Sequence, residues 1–138
     1  MHGSKHDLAV AFEGAGRVSR QAEWGEMNVA LETSAPGADS APHYRAQPDD
    51  RCQCPHWRYV VRGRFRVRYR GREELVNAGD AYYLAPGHVL SYEADTEVVE
   101  FSPRGAYQEM LEGDRAQLGG AADGGHGRVG RQPADRRP

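Results

Sequence analysis

The stretch "RFRVRYR", Arg64 to Arg70, limits the possible folds more than any other in the chain. Phe65, Val67 and Tyr69 fall on one side of a period of two, and Arg64, Arg66, Arg68 and Arg70 fall on the other. That alternation suits a strand with one buried and one solvated face and cannot form an amphipathic helix. The sequence around it has the same character. Short β-branched or aromatic runs, "RVSRQAE", "EMNVALET", "WRYVVRG", "EELVNA", "DAYYLA", "VLSYEA" and "EVVEFSP", follow one another with turn residues between them and no long helical pattern. Six to eight such strands predict an all-β fold, a small antiparallel β-barrel or sandwich. The long Pro-, Gly- and Asp-rich segment "SAPGADSAPHYRAQPDD" is a loop of the kind that is either functional or mobile.

With 138 residues there is room for one core. The expected organisation is an N-terminal arm over 1–16, a barrel over 17–103, a short helix over 104–118 and a disordered tail over 119–138. The helix follows from Tyr107, Met110, Leu111 and Leu118 at roughly helical spacing after Pro103. The tail "GGAADGGHGRVGRQPADRRP" is too poor in apolar residues to offset its ordering entropy. A formal net charge of -2 gives no general attraction to polyanions, so nucleic acid is not an expected partner. The arginine row reads instead as a solvated sheet face, paired across strands with Glu73, Glu74, Asp95, Glu97 and Glu100. No apolar run reaches the roughly 20 residues of a membrane span, and the N-terminal sequence lacks a signal-peptide core. A cytoplasmic location, with both cysteines reduced, is therefore expected.

Those two cysteines, Cys52 and Cys54, stand with His56 within five residues at the entrance of a strand. Their residue types admit two readings. Buried cysteines are commonly small hydrophobes and buried histidines satisfied core groups. Thiolate and imidazole together also make a transition-metal site. His2, His6, His43 and His126 fall in expected loops or termini and read as solvent-exposed, with His43 the nearest of them to the cluster in sequence.

Two landmarks resemble the cupins. "HWRYVVRGRFRV" is similar to the end of the first cupin motif, where a ligand precedes the turn glycine by seven positions, here His56 and Gly63. "GDAYYLAPGHVLSYEADTEVVEFSP" is similar to the second, with a Gly-Asp turn at Gly79 and Asp80 and a Pro-Gly pair before a histidine, His88. Together they cover about half the chain, in the family's order. The family's H-x-H and following Glu are absent: His56 stands at the glutamate position, Cys52 or its neighbour at the second histidine, and Asp50 at the first.

The resemblance implies a cupin jelly-roll whose metal site, if retained, uses substituted ligands: Cys52, Cys54 and His56 from one strand face and His88 from a neighbour. Such a mixed sulfur and nitrogen set suits zinc first, with iron, nickel or copper admissible. Arg58, in parity with His56, would face the same interior and could hold a substrate carboxylate, unless a bulge after Pro55 turns it outward. Trp57, Tyr59, Tyr82, Tyr83 and Tyr92 read first as core or interface aromatics, and Tyr83 or Tyr92 could lend a phenol to a small-molecule pocket. Two functions follow: a metalloenzyme of dioxygenase, isomerase or lyase type acting on a small acidic molecule, or a non-catalytic ligand-binding or regulatory barrel. A homodimer is expected in either case.

Overall fold

The computed structural model describes residues 1–122. Nine strands run in chain order: β1 (Ala9–Gly14), β2 (Arg17–Trp24), β3 (Met27–Ser34), β4 (His56–Arg62), β5 (Arg64–Tyr69), β6 (Arg72–Asn77), β7 (Ala81–Leu84), β8 (Val89–Tyr92) and β9 (Thr96–Pro103). A helix, α1 (Arg104–Ala122), follows directly. The strands form a six-stranded sheet, β1-β2-β3-β9-β4-β7, and a three-stranded sheet, β6-β5-β8, and every pairing is antiparallel. This is the expected all-β jelly-roll with a C-terminal helix.

Two boundaries differ from the sequence reading. The segment read as an N-terminal arm contains β1, whose "AVAFEG" pairs with β2 along the sheet edge. All but one of its residues are exposed, so the burial alternation that marks the other strands is missing there. The helix extends past residue 118 to Ala122, and the expected tail from 123 onward lies outside the described residues.

Side-chain parity sets the interior. In β5, Phe65 and Val67 are fully buried while the arginines face out, where Arg66 pairs with Glu73 and Glu93, Arg64 with Glu93 and Arg68 with Asp39. In β4 the inward residues are His56, Arg58 and Val60, and the outward ones Trp57, Tyr59 and Val61. One end of the space between the sheets is apolar, filled by Val60, Phe65, Val67, Val76, Leu84, Leu90, Tyr92 and Val98. The other end is lined by inward polar residues of the large sheet: Glu32 on β3, His56 and Arg58 on β4, and Glu100 and Ser102 on β9, all buried. The loop after β3, with short 3-10 turns at Ala41–Tyr44 and Pro48–Asp50, and the first turns of α1 close over that end through Tyr44, Cys52, Cys54, Ala106, Tyr107 and Met110.

The turn from β4 to β5 depends on Gly63. Its φ is +79°, and a Cβ there would lie 2.1 Å from the Asp95 carbonyl oxygen and 2.7 Å from Thr96 Cα. Both objects are backbone of the β8–β9 turn, so neither can swing away. Gly71 has a similar φ of +81° but open space around it. Gly63→Ala is therefore expected to cost about 2–4 kcal/mol by urea denaturation, and Gly71→Ala about 1 kcal/mol, the cost of the backbone conformation alone. Equal losses at the two positions would show that the close approach at Gly63 carries no extra energy.

Candidate metal centre and ligand cavity

Antiparallel register places the polar residues opposite one another. Trp57 pairs with Phe101 and Arg58 with Glu100, while Ala30 lies across β9 from Glu100. The inward side chains of β3, β9 and β4 therefore meet at one level. The Arg58 guanidinium donates from Nε to Glu100 Oε2 at 2.5 Å, from Nη2 to Glu32 Oε2 at 3.1 Å and from Nη1 to the Tyr92 hydroxyl at 3.1 Å. Each of its three nitrogens has an internal partner. Burial opposes ionisation of Glu100, but Arg58 and His56 beside it hold its pKa well below the usual carboxylate range.

The second Glu100 oxygen continues the network. His56 Nδ1 lies 2.6 Å from Ser102 Oγ and 3.2 Å from Glu100 Oε1, and Ser102 Oγ donates to Glu100 Oε1 at 3.3 Å. With Nδ1 occupied by these acceptors, Nε2 of the neutral ring presents its lone pair, the arrangement in which a carboxylate orients a metal-binding histidine. Nε2 points to Cys52 Sγ, 3.4 Å away. Burial lowers the tendency of His56 to carry charge, and Glu100 outweighs it, so the metal-free ring has a pKa well above 6.5.

His88 is fixed in a similar way from the turn before β8. Its Nδ1 donates to the Ala85 carbonyl at 2.7 Å, and its Nε2 is buried with no hydrogen-bond partner. The Cys52 backbone pairs with residues 87 and 88: Cys52 N donates to the His88 carbonyl at 3.0 Å and Gly87 N to the Cys52 carbonyl at 2.7 Å. One ligand atom each from Cys52, His56 and His88 lies within 4.8 Å of the others, and all three residues are buried. Burial would raise the Cys52 thiol, but the two histidines bring it down to about 6. A thiol that ionises near neutrality and an imidazole nitrogen left without a partner are what a soft-metal site requires, so the residues fit such an ion.

The other sequence candidates are placed differently. Cys54 is buried but outside the converging set. Its thiol lies 3.5 Å from the Pro55 carbonyl, and burial raises its pKa. The alternation expected from Cys52 to His56 holds in burial, Cys52, Cys54 and His56 being buried and Gln53 and Pro55 less so, although β4 begins only at His56 and Cys52 belongs to an isolated bridge with His88. Arg58 faces inward as parity predicts, where it meets Glu100 and Glu32 and forms part of the wall of a cavity. Tyr92 is buried as the hydrogen-bond partner of Arg58. Tyr83 is on the outer face, half exposed, its ring 5.1 Å from that of Trp57.

A cavity of about 110 Å³ opens beside this network, with Arg17, Glu32, His43, His56, Tyr107 and Met110 in its wall. His56 thus belongs both to the converging triad and to the cavity. Arg17 Nε and His43 Nε2 are buried without hydrogen-bond partners, so this wall keeps polar capacity that the protein does not use. His43, expected to be exposed, is half-buried against Phe12, with ring centroids 5.2 Å apart. Burial and the neighbouring Arg17 lower its pKa, favouring the neutral ring.

Comparison with known proteins agrees with this geometry. The family described as AraC-like ligand binding domain matches residues 53–133, more than half of the chain. The chain belongs to this family of cupin-type domains. Solved structures with the same fold include an RmlC-like cupin from Shewanella frigidimarina (18% identity, TM-score 0.55, covering 73% of this chain and 88% of that one). The polyketide cyclase RemF from Streptomyces resistomycificus matches at 16% identity and TM-score 0.57, covering 75% of this chain and 79% of that one. KdgF from a Halomonas species matches at 19% identity and TM-score 0.52, covering 73% and 93%. At these identities the likeness is one of fold. No curated protein matches the sequence. No helix among the described residues is long and apolar enough to cross a membrane.

Sequence reasoning missed Glu100 and Glu32 as interior groups. In sequence Glu100 reads as a partner of the surface arginines, although its alternation with Val98 and Ser102 in "VVEFS" gives it the inward parity. Because Arg58 holds two buried carboxylates, its removal leaves Glu100 with His56 and Glu32 with the longer contact to Arg17 at 3.5 Å. Arg58→Leu is expected to cost the metal-free cupin domain about 3–5 kcal/mol in urea denaturation. Adding Glu100→Leu should cost less than the sum of the two single changes. Strict additivity would show that the two groups do not act as a pair.

Proposed function

We propose that the chain is a small-ligand-binding cupin domain in which a transition metal, held by Cys52, His56 and His88, forms the back wall of the ligand cavity. The observation that carries this reading is the double position of His56, whose ring reaches the sulfur of Cys52 and also lines the cavity. One thiolate and two imidazoles suit zinc, and iron, nickel and copper are compatible with the same donors. When bound, such an ion supplies a Lewis acid beside the cavity. The protein's own groups do the rest: Glu100 and Ser102 orient His56, the Ala85 carbonyl orients His88, and Arg58 keeps Glu100 ionised.

The cavity volume limits the ligand. Drug-sized molecules occupy pockets of roughly 300–1,000 Å³, so about 110 Å³ suits a molecule of only a few heavy atoms. Arg17 pairs with Glu32 at 3.5 Å through Nη2 but keeps Nε unpartnered, and with His43 Nε2 and the neighbouring Arg58 it favours an acidic one. A ligand-binding or regulatory domain fits a site of this size better than turnover of a large substrate. The test is a thermal-shift titration of the purified, metal-analysed protein with formate, acetate, malonate and succinate. At least one should raise the melting temperature by about 3 °C or more, and Arg17→Gln should abolish the shift while leaving metal content unchanged. No shift with any of these acids, or one that survives Arg17→Gln, would overturn the assignment of an acidic ligand. Absence of stoichiometric metal after loading with zinc and, separately, with copper would overturn the metal site.

The outer face of the large sheet supports a homodimer. Trp57, Tyr59 and Val61 on β4, Tyr83 on β7 and Phe101 on β9 form a neighbouring set of large hydrophobics, each at least 40% exposed. A second copy related by a two-fold axis covers such a strip with the same strip. Sedimentation of the wild type should give a dimer, and Trp57→Lys with Tyr59→Glu a folded monomer. A wild-type monomer would rule out this interface.

A further inference from the structure

One donor atom near the triad has no role so far. Met110, on α1, has its thioether sulfur 3.4 Å from Cys52 Sγ. It lies in the same cluster as Cys52 and Cys54 and in the wall of the same cavity as His56. Helix α1 holds it there by several contacts. Tyr107, Met110, Leu111 and Asp114 recur on one face at helical spacing and all line the cavity. Gln47, in the loop after β3, donates to the Met110 carbonyl at 3.0 Å and to Asp114 Oδ1 at 2.9 Å. Gly113 lies under the same amide: a Cβ there would be 2.8 Å from Gln47 Nε2, so a larger residue would displace the amide from these two contacts.

Resting on the metal reading above, we propose that Met110 is the fourth donor and that the site is a copper site, with one thiolate, two imidazoles and one thioether. The donor chemistry selects the ion. Zinc is bound by thiolate, imidazole and carboxylate, and thioether adds little to it. Copper(I) is favoured by thiolate and thioether together, and a His₂Cys set with a weak Met donor is a copper arrangement. The donors come from four places in the chain: Cys52 from the loop before β4, His56 from β4, His88 from the turn before β8, and Met110 from α1. Because α1 carries Met110 and also covers the cavity, copper would tie the helix to the barrel.

The full chain, metal-free and under anaerobic conditions, is titrated with Cu(I) against the chromophoric competitor bicinchoninate and, separately, with zinc against a competing dye. The wild type should take up one Cu(I) per chain. Met110→Leu should weaken Cu(I) by about tenfold or more while leaving zinc affinity within about twofold. X-ray absorption at the copper edge should show two sulfur neighbours in the wild type and one in Met110→Leu. The wild-type spectrum does not depend on how the variant folds, and it overturns the proposal if it shows a single sulfur. Undiminished Cu(I) affinity in Met110→Leu overturns it as well. In both cases the site of Cys52, His56 and His88 still stands. If the wild type binds neither ion, the metal reading itself fails.

Discussion

Placing Arg58 inside the barrel is the condition on which the rest of the site depends. A guanidinium buried between two sheets is tolerated only if anions meet it there, and Glu100 and Glu32 come from the adjacent strand and the next one out. The second oxygen of Glu100 then faces His56, so the ion pair that balances Arg58 also sets the orientation of His56. A chain of charge runs from Glu32 through Arg58 and Glu100 to the imidazole. Polar networks of this kind are stable only when every member is satisfied. Here the unsatisfied capacity is at the ends: His88 Nε2 on the triad side, and Arg17 Nε and His43 Nε2 on the cavity side. Unpaired buried polar atoms are uncommon in native interiors. Asn28 Nδ2 and Arg68 Nε are unpartnered as well, so what distinguishes these three is their place beside a soft-donor cluster and beside a cavity, which is where the proposed metal and ligand would use them.

The same network explains the division of the interior. The apolar core of Phe65, Val67, Val76, Leu90 and Val98 provides hydrophobic burial at one end of the fold, which lets the other end be polar without loss of the sheets. Tyr92 joins the two, since its ring packs 5.8 Å from Phe65 and its hydroxyl accepts from Arg58. A functional site in a small barrel must displace core residues, and here it does so only where the loop after β3 and helix α1 can close over it.

Much of this was legible in the sequence because it follows from local periodicity. The alternation of Phe65 and Val67 with arginines, the inward parity of His56 and Arg58, and the turn at Gly63 each depend on a few adjacent residues. The nearness of His56 and His88 was legible only through the resemblance of "HWRYVVRG" and "GDAYYLAPGH" to the two cupin motifs, because their contact spans 32 positions and crosses between the sheets. What stayed hidden depends on register and on packing at long range. Glu100 reads as one more acidic residue until pairing with Arg58 places it opposite a buried cation. Cys54 shares the burial of Cys52, and only the long-range bridge between Cys52 and His88 brings one of them and not the other to the second histidine. Met110 reads as an ordinary apolar position of an amphipathic helix, and nothing local marks the helix as folding back over Cys52.

That helix decides what the cavity and the triad can do together. With the three ligands from the barrel alone, a metal would keep an open position, and a small acid in the cavity could reach it past His56. With Met110 supplying a fourth donor, the position is filled and the ion is enclosed. Metal and ligand would then meet indirectly, through His56 and through α1, which contributes both Met110 and the cavity residues Tyr107, Leu111 and Asp114. A ligand that shifted the helix would loosen the thioether contact, and by reciprocity the metal would alter the affinity for the ligand. The placement of one methionine therefore separates a catalytic metal from one whose occupancy is sensed through the fold, and the sensing arrangement is the one that suits a ligand-binding domain.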